Sequence, residues 1–116
     1  MLLNIEKKEV DPDIVVLEMA GRIVLGRDSQ QIEWTVSDLV QNNKKKVVFD
    51  LSAVNYLDST GVGLIIMCSS KLKQSGGELR LAGPRGPVGE VLKLTQVNQI
   101  VPIHPTVAAA TQDFPG

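Results

Sequence analysis

From Asp13 to Ile23 the residues alternate at a period of two, with Val15, Leu17 and Met19 on one side and Val16, Glu18 and Ala20 on the other. That period predicts an extended strand. Leu3 and Ile5 predict another strand before it, and Asp11-Pro12-Asp13 supplies a turn in which Pro12 fixes its own φ, so the chain opens on a hairpin. Beyond Gly26 the apolar spacing lengthens to that of a helix: Ile32, Val36, Leu39 and Val40 face inward, Trp34 lies nearer the edge, Asp28 or Ser29 is the cap, and Asn42-Asn43 closes the element.

Val47 to Leu51 is a short, nearly continuous apolar run, which predicts a central strand, with Lys44 to Lys46 as its solvated lead-in. A loop then leads to Asp58 and Ser59, which precede a helix-length span from Gly61 to Gln74 that Gly76-Gly77 stops. On this helix Leu64, Ile65, Cys68 and Leu72 form an inward face. Val62 and Ile66, with Ser69 and Ser70 nearby, form a second patch that either neighbouring elements cover or a partner meets. Glu78 to Ala82 predicts a further strand, Pro84, Gly86 and Pro87 a rigid turn, and Val88, Val91, Leu92 and Leu94 a short helix. Val101 to Ile103 is confined to a sheet edge by Pro102 and Pro105, and Val107 to Ala110 predicts a last helix. The class is therefore α/β: a mixed sheet of four to five strands, opened by a hairpin and packed through right-handed crossovers against three to four helices. Residues 1–116 read as one domain, without repeats or linkers.

Composition narrows the functional classes. At 43% hydrophobic and 22% charged residues the chain has ordinary globular usage, and its length suffices for a core without staples. A formal charge of −1 and an isoelectric point near 5.8 provide no field that would concentrate it on nucleic acid or anionic lipid. Direct nucleic-acid binding and membrane insertion are therefore not expected. No apolar run approaches the roughly 20 residues that span a bilayer, no signal-peptide core opens the chain, and the single cysteine, Cys68, suits a reducing compartment as a small buried hydrophobe. The location expected is cytoplasmic.

Chemistry concentrates at Asp58-Ser59-Thr60-Gly61, where several oxygens meet a helix entrance. Asp and Ser are leading N-cap residues, and a capping role alone accounts for their presence. Other signals carry less. Gly61-Val62-Gly63 and Gly83-Pro84-Arg85-Gly86 lack the spacing of a dinucleotide loop and the lysine of a P-loop. His104, the one histidine, has no Cys, Asp or Glu close by to share a metal, and Ser59 lacks both a nucleophile elbow and a dedicated base. No enzyme, metal or cofactor is expected.

The run Asp50-Leu51-Ser52, Val54-Asn55-Tyr56-Leu57, Asp58-Ser59-Thr60-Gly61-Val62-Gly63-Leu64 closely resembles the phosphorylation-site segment of STAS-domain anti-sigma factor antagonists. The likeness extends to the hairpin, the Gly21–Leu25 stretch, the Gly76-Gly77 break and the strand Glu78-Leu79-Arg80-Leu81-Ala82-Gly83, and so spans nearly the whole chain. It implies a STAS-like domain acting by partner switching. The unphosphorylated protein binds an anti-sigma factor that is also a serine kinase and so releases a sigma factor; phosphorylation ends that binding and a serine phosphatase resets it. By position the acceptor is Ser59, with Thr60 second, and the partner-binding residues are Asp58, Ser59, Thr60, Gly61, Val62 and Ile66. A dimer is compatible with this reading. Two other uses of such a domain remain open from the sequence: a scaffold subunit of a stressosome-like assembly, and an accessory subunit of a lipid or anion transporter.

Overall fold

The computed structural model describes residues 3–24, 26–112 and 114, with the backbone alone at Arg27 and Asp28. Among the described residues five strands form one sheet in the order β1-β2-β3-β4-β5: β1 (Asn4–Asp11), β2 (Ile14–Ile23), β3 (Lys46–Leu57), β4 (Glu78–Ala82) and β5 (Ile103–His104). β1 is antiparallel to β2, and every later pairing is parallel. Parallel neighbours require crossovers, and these are the helices α1 (Arg27–Gln41), α2 (Ser59–Gln74) and α3 (Gly86–Leu94), the last followed by a short 3-10 turn, Val97–Gln99. A short α4 (Val107–Ala110) closes the described chain.

The helices divide between the two faces of the sheet. Val15, Leu17 and Met19 of β2, Phe49 and Leu51 of β3, and Leu79 and Leu81 of β4 meet Ile32, Val36 and Leu39 of α1, Ile65, Cys68 and Leu72 of α2, and Val88 and Leu92 of α3 in the main core. On the opposite face Val16, Val48 and Ala82 are covered by Ala110, Val107 and Phe114. This second layer explains why Val47 to Leu51 reads as a nearly continuous apolar run rather than a clean alternation: Val47, Phe49 and Leu51 are buried on one face of β3 and Val48 on the other. It is fastened by Arg80 on β4, which is 8% exposed. Arg80 Nη1 donates to the carbonyls of Ala110 at 3.1 Å and Gln112 at 2.6 Å, Nε meets Glu78 at 2.6 Å, and the guanidinium lies 4.0 Å from the centre of the Phe114 ring. Each carbonyl accepts from a charged donor, which satisfies groups that the short helix cannot pair internally.

Helix ends follow from their residues. α1 ends with Asn42 as cap and Asn43 at φ 61°, and the Lys44 N–H returns to the Leu39 carbonyl at 2.8 Å; α2 ends likewise through Ser75, Gly76 at φ 86°, and Gly77 N–H to Leu72 O at 2.7 Å. A left-handed residue turns the chain while pairing an orphan carbonyl, and asparagine and glycine adopt it most readily.

Three expectations are corrected. The loop anticipated after Leu51 is strand: β3 runs on to Leu57 beside β2, and it carries two register irregularities, opposite Glu18–Ala20 and Gly21–Arg22. Each adds one residue to β3, so its buried positions fall at Leu51, Val54 and Leu57, a spacing of three that the two-residue template misses. The cap of α1 is Gly26, whose amide donates to Ser29 Oγ at 3.1 Å while the Ser29 hydroxyl donates to the Gly26 carbonyl at 2.7 Å; the Asp28 side chain lies outside the described residues, as does Leu25. α3 forms as expected and ends on Leu94, which is 79% exposed, while Val88 and Leu92 are its buried residues. The final edge strand pairs at Ile103 and His104, because Pro102 has no N–H to contribute.

Candidate functional site: the entrance of helix α2

β3 delivers the chain to α2 at the carboxyl end of the parallel strands, where open α/β sheets present their sites. Leu57, paired with Ile23, is buried and anchors the turn. Asp58 then takes an extended conformation, φ −107° and ψ −177°, and its Oδ1 accepts from the Gly61 N–H at 2.9 Å while its carbonyl accepts from Val62 N–H at 3.0 Å. The capping role read from the sequence therefore falls to Asp58 alone. That frees Ser59 and Thr60, the first two helical residues, which are exposed; among the described residues neither hydroxyl has a hydrogen-bond partner.

Gly61 is buried for a specific reason. A Cβ there would stand 2.5 Å from Leu57 Cδ1 and 2.7 Å from the Ile23 carbonyl oxygen, so only glycine lets the first turn of α2 lie against the ends of β2 and β3. Close packing at Gly61 thus holds the first turn, and with it the exposed Ser59, in place from below. The first turn contains no acidic residue beyond the cap. The amide dipoles accordingly present partial positive charge toward any anion at Ser59, a stabilisation of about 0.3–1 kcal/mol at an exposed site.

The structure brings Asp58, Ser59, Thr60 and Gly61 together at one helix end and separates them from part of the anticipated patch. Val62 is 5% exposed and belongs to the main core, Ser69 is 1% exposed, and Ile66 is half-buried against the core's edge. Neighbouring elements therefore cover Val62, and the outward surface of α2 continues instead through Gly63, Met67 and Ser70, with Met67 44% exposed. The signal available in the sequence was spacing: positions 59, 63, 67 and 70 recur at helical period from the hydroxyl, whereas 62 shares a face with 65, 69 and 72. Sequence reasoning also missed Arg22 and Tyr56, neighbours in the β2–β3 register beside this entrance, whose guanidinium and ring lie 4.6 Å apart as an exposed stacked pair.

Other candidate groups lie elsewhere. Gly83 at φ 67° and Gly86 at φ 52° shape the turn from β4 into α3. His104 sits in β5, where its carbonyl accepts from Gly83 N–H at 2.9 Å. Among the described residues no three His, Cys, Asp or Glu side chains gather as metal ligands would. Burial, with a smaller contribution from Glu33 against the opposing Lys71, pushes the Cys68 thiol up to about 12, which makes it an inert core group. Among the described residues no helix is long and apolar enough to cross a membrane.

This architecture is shared with known proteins. A "Putative anti-sigma factor antagonist" of Thermotoga maritima is 30% identical over 101 residues, 87% of this chain and 89% of its own. The crystal structure of a putative anti-sigma factor antagonist from the same organism, 27% identical, superposes with a TM-score of 0.81 over 95% of this chain and 93% of that one. SpoIIAA, an anti-sigma factor antagonist solved in its unphosphorylated form, shares the fold at 19% identity with a TM-score of 0.78 over 92% of each chain. The STAS domain family itself matches residues 6–110, and with that match covering the hairpin, the sheet and the Asp58–Gly61 helix entrance, this chain belongs to the STAS domain family.

Proposed function

We propose that this protein is an anti-sigma factor antagonist that works by partner switching, with Ser59 as the switch. Unphosphorylated, it binds an anti-sigma factor with serine kinase activity, and the sigma factor that the kinase had held is released. The kinase then transfers the γ-phosphoryl group of ATP to Ser59 Oγ, ADP leaves, the hydroxyl proton passes to the kinase's base, and the complex separates. A serine phosphatase restores the hydroxyl by hydrolysis. The protein itself supplies a binding surface and an acceptor and needs no cofactor, and the setting is the cytoplasm. The names of its relatives support this role.

One observation carries the assignment of the switch: Asp58 has taken over the capping of α2, so Ser59 stands exposed with an unengaged hydroxyl at the positive end of the helix. A phosphoryl group there brings a charge of about −1.5 to −2 and acceptor oxygens that the first-turn amides favour, so the fold tolerates it. In an interface closed over a neutral hydroxyl the same group must be desolvated, and Asp58 beside it adds like charge. A penalty of only about 3 kcal/mol lowers affinity by about a hundredfold. Binding therefore switches by local electrostatics without rearrangement of the core.

The test is retention. Wild type, Ser59→Ala and Ser59→Asp are immobilised separately, lysate of the source organism is passed over each, and bound proteins are identified by mass spectrometry. Wild type and Ser59→Ala are expected to retain an anti-sigma factor kinase that Ser59→Asp does not. With the purified kinase and ATP, phosphate is expected on Ser59 by tandem mass spectrometry and absent from Ser59→Ala. Equal retention by all three proteins overturns the switch.

A further inference from the structure

Helix α2 carries two glycines two residues apart, and the fold needs only one of them. At Gly61 a Cβ would collide with Leu57 and with the Ile23 backbone. At Gly63 a Cβ meets nothing within 4 Å among the described residues, and the residue has no positive φ. Gly63 is an exposed interior position of a regular helix, where glycine loosens the element relative to alanine by leaving the unfolded backbone more freedom. The fold thus carries an instability that its own packing does not require, one turn beyond Ser59 and on the same side.

The surface around it has a matching peculiarity. From Ser59 to Ser70 no residue is charged, so the outward stripe Ser59, Gly63, Met67, Ser70 presents hydroxyls, bare backbone and an exposed thioether. Exposed faces of surface helices ordinarily carry charges. A stripe without them, about 16 Å long at the helical rise, matches an uncharged polypeptide surface, and Met67 is a side chain that adapts to an apolar neighbour.

We propose that Gly63 is a clearance position of the docking surface. The missing side chain lets an uncharged backbone segment of the partner lie directly against α2, with Met67 packing into an apolar depression one turn further on, and this contact sets the depth at which the partner meets the Ser59 hydroxyl. The proposal rests on the reading of the protein as an antagonist of an anti-sigma factor kinase and names the surface that kinase uses. It also accounts for the switch, because a partner held this close to the helix leaves no water layer to solvate a phosphoryl group.

The experiment uses the kinase retained by the wild-type protein, purified, with calorimetric titration of wild type, Gly63→Ala and Gly63→Leu and thermal unfolding of each free protein. Gly63→Ala is expected to melt a few degrees higher than wild type yet bind about tenfold more weakly, because one methyl group at a close contact forces the surfaces apart. Gly63→Leu extends the loss to a hundredfold or more while circular dichroism remains that of the wild type. Affinities of both variants within twofold of wild type overturn the clearance role and leave the antagonist reading standing. A lower melting temperature for Gly63→Ala overturns the premise that the fold does not need this glycine. A wild-type protein that retains no such kinase overturns both readings.

Discussion

Replacing Gly61 with alanine places a methyl group 2.5 Å from Leu57 Cδ1, 2.7 Å from the Ile23 carbonyl oxygen and 3.0 Å from Ile23 Cγ2. Two of these atoms belong to Ile23, which is buried and paired with Leu57 in the sheet, so the helix has to move rather than the strand. Overpacking costs about 1–3 kcal/mol, and with a backbone oxygen among the atoms struck the cost falls at the upper end, about 2–3 kcal/mol; the alanine returns up to about 1 kcal/mol of helix propensity, leaving a net loss of about 1–2 kcal/mol. Gly63→Ala receives the propensity gain with no collision, since among the described residues nothing stands within 4 Å. The two substitutions, identical in chemistry and two residues apart, are therefore expected to differ by about 2–3 kcal/mol with opposite signs relative to wild type. Urea denaturation followed by circular dichroism measures this directly, as midpoints on either side of the wild-type value at an unchanged slope. A Gly61→Ala protein as stable as wild type refutes the reasoning. The first turn of α2 would then be free to shift, and packing would not be what fixes the position of Ser59.

Asp58→Ala removes the acceptor of the Gly61 N–H and is expected to cost about 1 kcal/mol by thermal unfolding, with Asp58→Asn close to wild type because an amide oxygen caps equally well. Arg80→Met strips the donor from the Ala110 and Gln112 carbonyls and leaves Glu78 without its partner; a loss of about 3–5 kcal/mol is expected, with hydrogen exchange accelerating first at residues 107–112. Cys68 has its thiol pushed up from 9.0 to about 12 by burial, so the folded chain holds a proton that the unfolded chain gives up. Its contribution to stability is full below pH 9 and is lost as the pH rises toward 12, with a slope of at most about 1.4 kcal/mol per pH unit that Cys68→Ala lacks in parallel urea titrations. The same burial leaves the native thiol silent to Ellman's reagent at pH 8 until denaturant is added.

The strands of the hairpin, the helix after Asp58 and the Gly76-Gly77 stop were legible because each is a local matter. Period, capping chemistry and a left-handed residue act over a few positions and leave their mark on the same few positions. The second half of β3 was not legible, for an equally physical reason: two added residues turn the inward positions into Leu51, Val54 and Leu57, and only the pairing with β2 supplies that register.

At the site the division is sharper. The residue types at Asp58-Ser59-Thr60-Gly61 by themselves determined that a helix begins there, that a capping group is present and that a hydroxyl stands at the helix end. They left open which side chain caps, because Asp and Ser are both competent; the geometry of the turn gave the bond to Asp58 and the exposure to Ser59. The two faces of α2 were decided by what lies across from them. Val62 is buried because the helix packs against the sheet on that side, and Gly63 and Met67 are exposed because, among the described residues, no element covers the other. A helix's own sequence carries its period, whereas which of its faces meets solvent depends on atoms that are distant in the chain and near in space.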